Sequence, residues 1–278
     1  MITQRTHYVT TTDGVTIGAT VHGQGSPLVF LQGAIGDGDL DWQALLPHLT
    51  NRFTCHLPSL RGRGLSGEHP NLSFGRLVDD VLAYLDSIGE PTGLVGWSLG
   101  AGLALVAAGA QPDAVATVAV VGPGMPGLMD EQERAAFGEA VARTGELAAA
   151  GDLTAAVRAF AGFVFNGEEI AVAEGAGYFE AAARYVPTML NFFRQQMAYE
   201  GPMPDDLAVL GAISAPVLVL PGSASKSYES ASARHLADHV PNARIHEIPG
   251  AGHAALQTHP EALAEALTEF FAPAQPPT

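Results

Sequence analysis

The sequence predicts an α/β fold built on a doubly wound, mostly parallel sheet with a block of helices inserted into it. Three observations predict it. Short apolar runs without alternation recur along the chain, helical periodicities separate them, and one long interval holds helical patterns and no strand. Continuous apolar runs suit strands covered on both faces, and the repeated order strand, helix, strand implies parallel pairing with crossover helices.

The chain opens with alternation around Asp13-Gly14 in "THYVTTTDGVTIGATVHGQG", a hairpin signal with strands near His7 to Thr11 and Val15 to His22. The runs "PLVFLQG", "RFTCHLP", "TGLVGW", "AVATVAVVG", "APVLVLPG" and "ARIHEIPG" follow as buried strands. Helical patterns cover Trp42 to Leu49, Leu72 to Ile88, Leu99 to Ala110, Ser230 to His239 and Pro260 to Phe271, the last with proline in its first turn.

From Pro123 to Leu210 the pattern is helical throughout and rich in aromatics, among them Phe137, Phe160, Phe163, Phe165, Tyr178 and Phe193. This interval divides the chain into a sheet-bearing core, 1–122 and 211–278, and a helical insertion, 123–210. Most of the aromatics are expected to pack the insertion's own core, leaving a few to line an apolar cleft. The tail "APAQPPT" reads as disordered.

Composition narrows the function. With 278 residues, 47% of them hydrophobic and 15% charged, the chain has the makings of a packed globule. A net charge of −16 and a single lysine, Lys226, argue against a nucleic-acid partner, which needs clustered cations. An anionic substrate would need local arginines such as Arg61 and Arg63 to offset that field. One cysteine, Cys55, permits no intrachain disulfide and no cysteine-based metal cage, and it reads as a buried strand thiol. "MITQRTHYVT" lacks the basic and then apolar halves of a secretory signal, and no run approaches the ~20 apolar residues of a membrane span. The expectation is a soluble, cytoplasmic protein acting on a small molecule, with no membrane partner; a homo-oligomer is compatible with the sequence.

The chemistry centres on "LVGWSLGAGL". Ser98 falls where the buried strand "GLVGW" gives way to a helix, and a sharp strand-to-helix turn needs the tiny neighbours Gly96 and Gly100. The hydroxyl would then stand above the carboxyl edge of the sheet, at a helix amino terminus that favours a developing oxyanion. A serine is a weak nucleophile unless a base takes its proton. Of the 10 histidines, His253 lies on the glycine-rich loop of "IPGAGHAALQTHP" at a carboxyl edge, whereas His22, His48, His56 and His239 sit in strands or helices. The N–H of Leu99 and that of Ala34, in the loop "QGAIGDGDLDW", are the candidate oxyanion donors. Asp37, Asp39 and Asp41 in that loop lack the later ligands of a calcium site, so helix capping or solvation is expected, and no metal or cofactor.

These residues together resemble the α/β-hydrolase fold family, particularly its small bacterial esterases and related cofactor-independent enzymes. "GWSLG", "LRGRGLS" and "PNARIHEIPGAGH" carry the resemblance. It implies an α/β-hydrolase sheet whose inserted helices form a cap or lid, with Ser98 as nucleophile and His253 as base. Three positions depart from the family pattern: Gln32-Gly33 replaces His-Gly, Ser59 replaces an Asp, and Ser225 occupies the usual place of the triad acid. The acid is thereby left open between a dyad supported by Ser225, a backbone carbonyl or water, and a carboxylate from Asp130 or Glu229. The expected reaction is hydrolysis of a small to medium apolar carboxylic ester through a Ser98 acyl-enzyme. The alternatives are a cofactor-free lyase, cyclase or isomerase in which His253 moves protons, or a ligand-binding homologue without catalysis.

Overall fold

The computed structural model describes residues 4–272. Its strands are β1 (Arg5–Thr10), β2 (Thr16–Gly23), β3 (Ser26–Leu31), β4 (Phe53–Pro58), β5 (Thr92–Trp97), β6 (Val115–Val121), β7 (Val217–Leu220) and β8 (Ala243–Ile245). They form one sheet in the order β1-β2-β4-β3-β5-β6-β7-β8. The opening hairpin pairs antiparallel and β2 joins β4 antiparallel, while every pairing from β4 to β8 is parallel.

The lack of alternation in the apolar runs has a direct cause, because each face of the central strands is covered. Val29, Leu31, Leu94, Val118 and Val120 pack on one side with Leu77, Leu103 and Leu236, whereas Phe30, Val95, Ala119 and Val121 pack on the other with Trp42, Leu263 and Leu267. All six residues of β5 are buried. Cys55 is fully buried in β4, and burial pushes its thiol up to about 12.

Two short helices, α1 (Gly38–Trp42) and α2 (Leu46–Leu49), follow β3, where a single helix from Trp42 to Leu49 was expected. Pro47 lies in the first turn of α2 and has no N–H to extend α1, so the chain starts a new helix there. Helix α3 (Phe74–Ile88) then leads to β5, and α4 (Leu99–Ala110) to β6.

Between β6 and β7 the chain is helical: α5 (Glu131–Ala149), α6 (Leu153–Val164), α7 (Gly167–Gly175), α8 (Tyr178–Ala182), α9 (Val186–Gln196) and α10 (Leu207–Ala212), with two single 3-10 turns. Its aromatics mostly meet one another, Phe137 with Phe160, Phe163 and Phe193 at centroid distances of 6.1, 5.5 and 5.6 Å. Helix α11 (Ser227–His239) follows β7, and α12 (Ala255–Thr258) and α13 (Pro260–Phe271) follow β8. Of the tail read as disordered, everything after Ala272 lies outside the described residues. Among the described residues no helix is long and apolar enough to cross a membrane.

Candidate active site

Ser98 follows the last residue of β5 and caps α4 with φ 54° and ψ −113°, and it is the only non-glycine residue with positive φ among the described residues. Such a backbone is unfavourable for a side-chain-bearing residue and persists only where the surroundings over-determine it. Here they do. A Cβ on Gly96 would lie 2.2 Å from the Gly100 carbonyl oxygen, and one on Gly100 would lie 2.1 Å from that of Leu31. The Ser98 N–H donates to Val121 O at 3.1 Å, tying the turn to β6.

His253 sits on the loop after β8 and is 3% exposed. Trp97 joins this loop to the elbow: its indole N–H donates to the His253 carbonyl at 2.8 Å, and its ring lies 5.6 Å from the imidazole. Phe165, from the insertion, stacks on Trp97 at 6.2 Å and lies the same distance from His253. The imidazole also presses on the chain after β6, where a Cβ on Gly122 would come within 3.2 Å of Nδ1. Ser98 and His253 therefore occupy the same carboxyl edge of the sheet.

Of the carboxylates weighed for the acid, Glu229 is the one that the structure brings to the imidazole. Its Oε1 lies against His253 Nδ1, and its side chain is fully buried. The alternative of a dyad with no carboxylate beside the imidazole does not match this contact. Helix α11 begins at Ser227, earlier than the periodicity from Ser230 suggested, so Glu229 stands in its first turn and reaches back to the imidazole. Ser225 is an accessory: it accepts the Gly222 N–H at 3.2 Å, and its hydroxyl helps to stabilise the Glu229 carboxylate. Asp130 is elsewhere, as the N-cap of α5 in a capping box with Glu133.

The electrostatics of the pair run in one direction. Burial disfavours the imidazolium, but the Glu229 carboxylate in contact with Nδ1, with a smaller contribution from Glu169, more than offsets it and holds His253 above its ordinary value. Burial likewise disfavours ionised Glu229, and His253 outweighs that cost and holds the carboxyl below its ordinary value. With Nδ1 committed to Glu229, Nε2 is the ring nitrogen left to take a proton.

The candidate oxyanion donors are the first N–H of α4, that of Leu99, and the N–H of Ala34. Neither donates to a backbone or side-chain acceptor among the described residues. The Ala34 loop is braced by Gln32 and Ser59, two of the departures from the family pattern, and by Arg63. Gln32 donates through Nε2 to Gly36 O at 2.6 Å and accepts the Leu60 N–H at 3.0 Å. The Arg63 guanidinium donates to Gly36 O and Ala34 O, each at 2.7 Å. Ser59 accepts the Gly38 N–H at 3.3 Å.

The arginines considered for an anionic substrate are otherwise engaged. Arg61 is buried and pairs with Asp80 and Asp13 at 2.5 and 2.9 Å, and buried Arg63 is spent on carbonyls. Of the three loop aspartates, Asp37 caps α1 and Asp39 is half-exposed, in keeping with capping and solvation. Asp41 is neither. Fully buried, it accepts the Gly33 N–H at 2.9 Å and the Tyr178 O–H at 2.7 Å, and burial pushes its carboxyl up to about 7. No group of three or more histidine, cysteine, aspartate or glutamate side chains capable of holding a metal occurs among the described residues. An open groove of about 670 Å³, lined by Asp37, Leu40, Ala181 and Arg184 among others, includes neither Ser98 nor His253.

A sequence model of the alpha/beta hydrolase family matches residues 21–266. The chain belongs to that family. Among solved structures it is similar to an alpha/beta hydrolase from Sphaerobacter thermophilus, with 30% identity and a TM-score of 0.75 over 96% of this chain and 100% of the other. Among characterised relatives it is 26% identical to a pimeloyl-[acyl-carrier protein] methyl ester esterase of Chromobacterium violaceum, over 90% of this chain and 95% of that one. It is also 25% identical to a 2-(acetamidomethylene)succinate hydrolase of Mesorhizobium japonicum, over 92% of each. This alpha/beta hydrolase is an enzyme with esterase-like homologues.

The sequence left Glu229 undistinguished from Asp130 because the signal sought was a carboxylate at one fixed spacing from β7. The usable signal was weaker, a glutamate in the first turn of a helix that is otherwise a poor candidate for burial. Glu169, which also lies beside His253, was hidden by the spacing of Asn166 and Glu169, which reads as a helix cap.

Proposed function

We propose that this protein is a serine hydrolase of carboxylic esters, with Ser98 as nucleophile, His253 as general base and Glu229 as the carboxylate that orients it. The observation that carries the reading is the strained Ser98 turn, which a purely structural serine would have no reason to occupy, at the sheet edge where Glu229 meets His253.

In the first half-reaction His253 takes the Ser98 proton as Oγ bonds to the ester carbonyl carbon. The carbonyl electron pair moves onto oxygen, where the Leu99 and Ala34 N–H groups receive it. The C–O bond to the alcohol then breaks, and His253 returns the proton to the leaving oxygen. Water repeats the sequence on the acyl-enzyme, releasing the acid and regenerating Ser98. The reaction uses no cofactor or metal.

The substrate proposed is a small to medium, largely apolar ester held under the inserted helices acting as a cap. Phe163 and Phe165 are the insertion aromatics that reach the site, Phe163 by stacking on Tyr228 next to Glu229 and Phe165 by packing on Trp97 and His253. The commitment of Arg61 and Arg63 to internal partners favours an uncharged substrate over an anionic one. The esterase named among the relatives supports the ester reading. The lyase, cyclase or isomerase alternative drew on a missing acid, and the Glu229 carboxylate against His253 supports the hydrolase reading over it.

The test is labelling by a fluorophosphonate, together with hydrolysis of p-nitrophenyl esters of increasing chain length. Stoichiometric labelling at Ser98, lost in a folded Ser98→Ala variant along with turnover, is expected. Turnover of a substrate that survives Ser98→Ala overturns the reading.

A further inference from the structure

The insertion sends a second carboxylate to the catalytic histidine's loop. Glu169, in the first turn of α7, is 1% exposed. Its Oε2 accepts the Asn166 N–H at 2.8 Å, which closes the capping box on α7. Its Oε1 reaches out of the insertion and accepts the N–H of Ala254, the residue after His253, at 2.6 Å. Helix capping explains only the first bond, and a capping glutamate normally stands in solvent.

The other side of the contact is equally constrained. A Cβ on Gly252 would lie 2.7 and 2.8 Å from the two Glu169 oxygens and 2.6 Å from Asn166 Nδ2. At Gly252 the loop is thus fitted to this carboxylate, and a side chain there would have to displace Glu169 or Asn166. Among the described residues it forms no salt bridge: its hydrogen-bond partners are two backbone N–H groups, so no cation in contact neutralises it.

We propose that Glu169 is a positioning residue for His253. It fixes the peptide after the histidine from the insertion side while Glu229 holds Nδ1 from the core side, and its charge stabilises the imidazolium formed during turnover. The charged groups facing His253 are then Glu229 on α11, Glu169 on α7 and Lys226 just before α11, the last opposing the two carboxylates. The geometry of the base thereby depends on the insertion being docked, so that a displaced insertion loses one of the two anchors of the base. The part concerning turnover rests on the ester-hydrolase reading.

The experiment compares wild type, Glu169→Gln and Gly252→Ala by two readouts. One is the titration midpoint of the His253 ring followed by nitrogen-15 NMR, which needs no turnover. The other is kcat and KM for p-nitrophenyl butyrate. Glutamine keeps an acceptor for Ala254 but loses the charge, so the His253 midpoint is expected to fall by about half a unit or more. In the same variant kcat should drop about tenfold, with KM changed by no more than about twofold. Gly252→Ala, which drives a methyl group into the carboxylate, should lower kcat similarly, and it decides the matter if Glu169→Gln does not fold.

Variants that are merely less heat-stable, with the His253 midpoint and kcat unmoved, would make Glu169 a plain helix cap and overturn the proposal. A midpoint that falls in Glu169→Gln, in a wild type that neither turns over the ester nor takes the fluorophosphonate, upholds the positioning role and fails the hydrolase reading instead.

Discussion

The turn that presents Ser98 and the helix that presents Glu229 place their side chains by different means. At Ser98 the backbone does the work, since Gly96 and Gly100 lie where any Cβ would meet carbonyl oxygens, and the serine is held at φ 54°. At Glu229 the backbone is an ordinary first turn of helix, and the reach of a two-methylene side chain brings the carboxylate to Nδ1. The comparison teaches that an element dictated by local sterics tolerates little variation in spacing, whereas an element dictated by reach can move along the chain so long as the functional atom arrives at the same point.

That contrast can be broken most sharply at the acid. Glu229→Gln keeps the shape of the side chain but leaves the imidazole without its anion, and kcat for ester hydrolysis should fall by about 10³ to 10⁴ while the far-ultraviolet circular dichroism is unchanged. A loss under tenfold would mean that the carboxylate is structural. On the backbone side, Gly100→Ala should cost about 3 kcal/mol or more in urea unfolding, because the clash is with main chain and no rotamer relieves it. A midpoint equal to wild type would show that the turn is less constrained than the contacts imply.

A subtler test concerns the brace on the oxyanion loop. Arg63→Met removes both guanidinium bonds to Ala34 O and Gly36 O, and kcat should decrease by about tenfold to a hundredfold as the Ala34 N–H loses its aim.

The pH profile sharpens the account of the pair. His253 is held above its ordinary value, near 6.5, and must be neutral to accept a proton, so kcat/KM should rise with pH through a midpoint above about 6.5. The sign for stability is the reverse: the contribution of a raised histidine is fully present below about 6.5 and is lost as pH climbs through the folded-state value. In Glu229→Gln the limb should move to lower pH, which pH-dependent kcat/KM measurements would detect. The smallest effect is expected at the family's usual acid position, where Ser225→Ala should lower kcat by about threefold or less, since it removes only a hydroxyl that supports Glu229.

Much of the fold was legible because its signals are local. The Asp13-Gly14 hairpin, five of the six apolar runs and the strandless interval all correspond to elements of the structure, since a strand covered on both faces must be apolar at every position. The sixth run, expected as a buried strand in "ARIHEIPG", is the short edge strand β8, where Arg244 and Ile245 are exposed because among the described residues no strand pairs beyond them. The break between α1 and α2 at Pro47 and the early start of α11 were misjudged, because apolar periodicity reports the buried face of a helix and says little about its ends. In the site, Ser98, His253, Leu99 and Ala34 could be nominated from motif and placement alone. Glu229 could be named only as one candidate beside Asp130, Asp41 was taken for a capping or solvated aspartate, and Glu169 was not singled out, because each is a carboxylate in a helical turn whose burial depends on what another segment lays over it.

By itself the sequence determined the order of strands and helices, the glycine-walled turn at Ser98 and the loop that carries His253, because steric exclusion and apolar patterning act between neighbours a few residues apart. Only the tertiary structure decided which carboxylate meets the imidazole, where Arg61 and Arg63 are spent, and how the insertion grips the peptide after the histidine. Those outcomes depend on distances through space between segments far apart in the chain, and a buried charge settles wherever the packed molecule offers it a partner.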